Sequence, residues 1–211
     1  MMEQGFSEIQ EFVEHEIVPR YDDFDAGHGR DHVHTVIEQA LSLSQYYPEV
    51  DRRMLLVAAA YHDLGLAYGR DEHHIHSARI VREDERLHRW FNPDEIDTIA
   101  DAAEDHRASS GHEPRTIYGR LVAEADRVID GETIVRRALQ YGMKHEPGLD
   151  REGQYRRLME HMREKYDYGG YLKLWIPHGD NARRLEEFRQ LLADPKAFLR
   201  LFDKIYNSLI H

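Results

Sequence analysis

Cysteine is absent from the 211-residue chain. No disulfide braces the fold, and any metal must be held by histidine, carboxylate or water. Long apolar runs are missing too. The longest spans Met54 to Tyr61, well short of the roughly 20 residues that a membrane-crossing helix needs. Basic residues are outnumbered, 28 Lys and Arg against 40 Asp and Glu, for a formal charge of −12. That balance argues against nonspecific binding to nucleic acid or to an anionic membrane, both of which need basic patches. It still admits a phosphorylated substrate, because a metal ion and a few arginines can make a local positive site. The N-terminal stretch, with Glu3 and Glu8, lacks a basic-then-apolar signal pattern, so a cytoplasmic location is expected.

Histidine is in excess. There are 15, and 10 of them fall between His28 and His112, so the search for chemistry belongs in that stretch. His15, His88, His145, His161, His178 and His211 read as scattered surface residues. Those beside aspartate on apolar segments do not.

Nothing reads as a strand series, and the expected fold class is all-α. Glu8 to Val18 suits a first helix, followed by a polar stretch from Tyr21 to Gly29. Val33, Val36, Ile37, Ala40 and Leu41 recur at helical spacing and make one apolar stripe. Met54 to Tyr61 is apolar on all sides and reads as a buried helix, with Gly65 just past its end as a C-terminal glycine. Asn92, Pro93 and Glu95 make a strong helix start running to about His106. A loop over Arg107 to Pro114 and a helix over about Thr116 to Val128 come next. Beyond Gly131 come Arg- and Glu-rich helices, a break at Gly169–Gly170, a stripe of Leu185, Phe188, Leu191 and Leu192, and a last helix opened by Asp194–Pro195. The expected organisation is one all-helical domain over 1–211: a metal-binding core over about 22–130 and a helical extension over about 131–211.

His62–Asp63, in AAAYHDLG, closes the apolar helix. That is a poor place for a carboxylate, because the macrodipole is negative there and burial adds a desolvation cost. A positive partner is required, either an arginine or a divalent cation. Further ligand types exist in the chain. His32, in GRDHVHTV, flanks the apolar stripe, whereas His34 falls away from it and reads as solvated. Asp126, in LVAEADRV, lies among Leu121, Val122, Ala125, Val128 and Ile129; it is a surface acid, a partner of Arg127 or a ligand to a cation.

The order His32, then His62–Asp63, then Asp126, on separate helices, resembles the HD-domain superfamily of metal-dependent phosphohydrolases. The resemblance covers about residues 22 to 130. It implies a helical bundle of the HD-domain type, with His32, His62, Asp63 and Asp126 as metal ligands. In subfamilies with two metals, two further histidines complete a second site. His73 fits the first role by its spacing to Ser77–Ala78, with His74 as the alternate, and His106 fits the second. One or two divalent ions (Fe, Mn, Zn, Co, Ni or Mg) are therefore expected. The glycine-tyrosine-proline motif of one two-metal subfamily is absent after His106, so that subfamily's cyclic dinucleotide substrate is not implied. The resemblance implies hydrolysis of a small phosphorylated substrate, a nucleotide among the candidates, by a metal-activated water. Arg70, Arg107 and Arg115 are candidate phosphate contacts. Asp105 is a candidate general acid or base, or an acceptor that orients His106. The same scaffold admits two other functions, a di-iron oxygenase and a non-catalytic metal-containing binding module.

Overall fold

The computed structural model describes residues 2–25, 27–107, 112–127 and 129–210. Among them are ten α-helices and no strand. No described helix is long and apolar enough to cross a membrane. His211, Val128 and Ser109, Ser110 and Gly111 of the expected loop lie outside the described residues.

The chain forms two compact units. The first comprises Met1–Arg127 together with Trp175–His178, and the second the remaining residues. The first unit contains α1 (Met2–Phe12), α2 (Arg30–Leu43), α3 (Arg52–Tyr61), α4 (His73–Glu83), α5 (Pro93–Asp105) and α6 (Ile117–Ala125). Helix α3 is its centre and packs against α1, α2, α4, α5 and α6. Every residue from Met54 to Tyr61 is buried, as a helix apolar on all sides requires. On α2 the stripe is narrower. Val33, Val36, Ile37 and Ala40 are buried, while Leu41 is only partly covered. Helix α5 starts with the expected capping box: Asn92 accepts from the Glu95 N–H, Glu95 accepts from the Asn92 N–H, and Pro93 takes the first turn. Thr116 caps α6 by accepting from the Gly119 N–H.

Three local expectations are corrected. The first helix does not run through to Val18. It gives way after Phe12 to a π-turn over Val13–Ile17 and then a 3-10 turn over Val18–Asp23. The Val18 N–H bonds to the Val13 carbonyl, and Pro19, which has no N–H to donate, sits at the start of the 3-10 segment. Tyr21 is not part of a polar stretch. It is fully buried, and its hydroxyl donates to the Ala60 carbonyl at 2.8 Å. Gly65 is not a left-handed C-terminal glycine, since the positive-φ glycines among the described residues are Gly69 and Gly179. It is small because α4 begins against it. A Cβ there would collide with the His73 carbonyl oxygen and stand 2.6 Å from the Ser77 nitrogen.

The second unit contains α7 (Gly131–His145), α8 (Arg151–Tyr166), α9 (Asn181–Ala193) and α10 (Pro195–Ile210). Its interior is built from the expected stripes. Leu185, Phe188 and Leu192 of α9 and Phe198, Phe202 and Ile205 of α10 are buried with Leu139 and Leu158.

Candidate metal centre

The polar residues on these apolar helices gather at helix ends. His62 is the C-cap of α3, His106 of α5 and Asp126 of α6. His73 is the first residue of α4, and His32 lies in the first turn of α2. Three helix C-termini, each with partial negative charge, thus converge with two helix N-termini. The first kind of end suits a cation and the second an anion.

Two groups of ligand atoms form there, and Asp63 belongs to both. In the first, Asp63 Oδ2 is 3.2 Å from His62 Nε2 and 3.5 Å from His32 Nε2, and the two nitrogens are 3.3 Å apart. Asp126 Oδ1 joins them, 3.3 Å from His32 Nε2 and 3.8 Å from His62 Nε2. In the second, Asp63 Oδ1 is 3.4 Å from His73 Nε2 and 3.5 Å from His106 Nε2, with 3.2 Å between the nitrogens. His62, Asp63 and His106 are buried, and Asp126 keeps 28% of its side chain exposed at the edge.

The tautomers decide what this arrangement can do. The Nδ1 of His62 donates to the Ala59 carbonyl, that of His73 to the Arg70 carbonyl and that of His106 to the Ala103 carbonyl. Each acceptor lies three residues before its histidine. A neutral imidazole that donates from Nδ1 has only a lone pair at Nε2. His73 and His106 therefore point lone pairs at each other and at a carboxylate. No neutral arrangement satisfies that set, whereas a proton or a metal cation does. Among the described residues, no arginine lies on the Asp63 carboxylate. The donor set, imidazole nitrogen with carboxylate oxygen, fits a divalent metal.

In the metal-free protein a proton takes part of that role. Burial pulls His32 down, but hydrogen bonds to Asp126 and Asp63 outweigh it and raise its pKa to about 9. Burial and the nearby His106 push His73 down to about 4. Burial alone would raise Asp63, yet the charge of His62 and the hydrogen bonds from His106 and His32 hold it well below the usual carboxylate range. Asp126 is likewise held at about 2, against burial, chiefly by its hydrogen bond with His32.

The remaining candidates divide. Arg107, next to His106, donates to the Asp71 carbonyl and lies 3.4 Å from His74 Nδ1, so His74 sits beside the second group rather than in it. Arg70 is 73% exposed and 3.9 Å from Asp25. Arg115 is taken up by Asp101, Glu104 and Asp105 at 3.0, 3.2 and 2.8 Å. The Asp105 carboxylate is correspondingly occupied, receiving the Arg115 backbone N–H at 2.6 Å as well. It points at Arg115, and His106 is oriented by Ala103 instead. Arg127 does not pair with Asp126 but lies 3.9 Å from the buried Glu124.

Tyr21 and Glu124 were not singled out in the sequence, and Ser77 was noted there only for its spacing to His73. Tyr21, fully buried, neighbours the His62 ring with centroids 6.5 Å apart, and its hydroxyl lies 3.4 Å from the Asp63 nitrogen. Ser77 accepts the Gly65 N–H at 2.9 Å, which ties the turn after Asp63 to α4. Glu124, two residues before Asp126, accepts the backbone N–H groups of Trp175 and Ile176. For Tyr21 and Glu124 composition offers no signal. For the histidines, the recurrent position at a helix end with a carbonyl three residues back is one.

Residues 29–130 match the model of the HD-domain family. Neither a curated protein nor a solved structure matches the chain significantly. The matched span contains every ligand atom of both groups. Over those residues the chain carries an HD domain, the domain of a superfamily of metal-dependent phosphohydrolases.

Proposed function

We propose that this protein hydrolyses a phosphate ester, with a nucleotide among the candidate substrates. The observation that carries the reading is the sharing of Asp63 between two ligand groups, one carboxylate oxygen to each. His32, His62, Asp63 and Asp126 would hold one ion, and Asp63, His73 and His106 a second. An imidazole-rich set favours Fe, Mn, Zn, Co or Ni over Mg, which prefers oxygen ligands. When bound, such ions lower the pKa of water and offset charge on a phosphoryl oxygen.

The chain's own residues do the rest. The Ala59, Arg70 and Ala103 carbonyls fix the imidazole rings, and buried Tyr21 stands beside His62. Arg107 and Arg70, on the loops flanking the second group, would be the groups to meet phosphate oxygens. Arg115 and Asp105, bound to each other, take a structural role that holds the start of α6 against the end of α5.

The test is a panel of phosphomonoesters and phosphodiesters, including nucleoside monophosphates and p-nitrophenyl phosphate, offered to metal-replete protein. Hydrolysis is expected, and Asp126→Ala should abolish it. Full metal occupancy with no cleavage across the panel overturns the reading. Oxygen uptake by the iron-loaded protein without ester cleavage points to the oxygenase instead.

A further inference from the structure

Ester hydrolysis also needs a proton for the departing oxygen, and most polar side chains around the ligand groups are already committed. Tyr21 is buried with its hydroxyl on the Ala60 carbonyl. Asp105 is held by Arg115. His34 bonds to Glu14, and His74 adjoins Arg107. His28 is different. Its ring stands edge-on to His32 with centroids 5.8 Å apart, and its side chain is 22% exposed. Its Nδ1 lies 2.9 Å from Asp25 Oδ1, so that nitrogen carries a hydrogen. Its Nε2 has no partner among the described residues. Asp25 is itself fixed, because Oδ1 also accepts the Gly27 N–H at 2.8 Å and Oδ2 faces Arg70 at 3.9 Å. A histidine oriented by a carboxylate, with its second nitrogen free, is the arrangement that general acid catalysis uses.

We propose that His28 delivers the proton to the leaving oxygen and that Asp25 is its positioning residue. The assignment rests on the ester-hydrolysis reading above. As an oxygen from water forms the new P–O bond, the P–O bond to the leaving group breaks. Its electron pair stays on the leaving oxygen, which takes the Nε2 proton of His28 in its imidazolium form and leaves the neutral ring with its hydrogen on Nδ1. The proton lost by the attacking water restores His28 for the next cycle. His28 and Asp25 precede α2 on the loop before it, so their substitution leaves all six ligands of the two groups in place.

The test compares wild type, His28→Gln, Asp25→Asn and the double variant, all metal-loaded, on phenyl phosphate and p-nitrophenyl phosphate. The nitrophenolate leaves without help and phenolate does not. His28→Gln should lower kcat on the order of 100-fold on phenyl phosphate and under roughly tenfold on the nitrophenyl ester. Asp25→Asn should lose less, and the double variant no more than His28→Gln alone, since the two act as one unit. Metal content should be unchanged throughout. As a readout apart from turnover, inorganic phosphate should shift the ¹⁵N resonances of the His28 ring in the metal-loaded wild type. Equal losses on the two esters with metal retained, or His28 signals that ignore phosphate, overturn the proposal. If wild type cleaves neither these two esters nor any other ester of the panel, the parent reading fails, and the phosphate response alone decides whether His28 faces the anion.

Discussion

Asp63 serves two ligand groups with one carboxylate, and the pH behaviour of the centre is set by its neighbours. In the metal-free protein His32 is held at about 9 against an ordinary value of 6.5. A group whose folded pKa is raised adds stability that is fully present below 6.5 and is lost as pH climbs toward 9. The upward shift corresponds to a contribution on the order of 3 kcal/mol. Chelated protein should therefore lose melting temperature between pH 6.5 and 9. Metal-loaded protein should not, because its His32 has exchanged the proton for the ion. Thermal melts across that window, with chelator and with metal, check this. A chelated melting temperature that stays flat from 6.5 to 9 would mean that His32 does not hold the proton. The sequence singled out His32, His62, Asp63 and Asp126, and the four lie together because each stands where an apolar helix ends or begins. It could not say that Asp105 would face Arg115 rather than the centre. That choice depends on where the loop after α5 returns, and no local pattern encodes it.

Helix ends carry the design one level up. Gly65 lets α4 start in direct backbone contact with the turn after Asp63, and His73 is the first residue of that helix. Gly65→Ala would force the start of α4 away. The expected cost is about 1–3 kcal/mol of overpacking strain, accompanied by loss of the ion at Asp63, His73 and His106. Asn92→Ala is the matched control. It removes the cap of α5 at its far end, costs about 1 kcal/mol and should leave the metal content alone. Denaturant melts and elemental analysis of both variants separate the two effects. If Gly65→Ala retains wild-type metal content, the close approach does not place His73. At this scale the caps at Asn92 and Thr116 and the buried run of α3 were readable from the sequence, because capping and patterning are local. The π- and 3-10 turns after Phe12 were not. The hydrophobic spacing continues through them, and only Pro19 hints that the hydrogen-bond ladder changes.

Taken whole, the molecule is strongly acidic, yet it gathers His32, His62, His73 and His106 into one neighbourhood of the first unit. The second unit offers, among the described residues, no comparable group of ligands. All-α architecture could be read from the absence of strand patterns and from helical periodicity along most of the chain. The division into two compact units could not, because it depends on residues 175–178 returning to the first unit through the Glu124 carboxylate. The central claim is that two ions share Asp63. Elemental analysis of metal-reconstituted protein, wild type beside His106→Ala, tests it most directly. The account predicts two ions per chain in wild type and one in the variant, which keeps His32, His62, Asp63 and Asp126 intact. One ion in both proteins, or none in wild type after reconstitution with Mn, Fe, Co, Ni and Zn in turn, would contradict it.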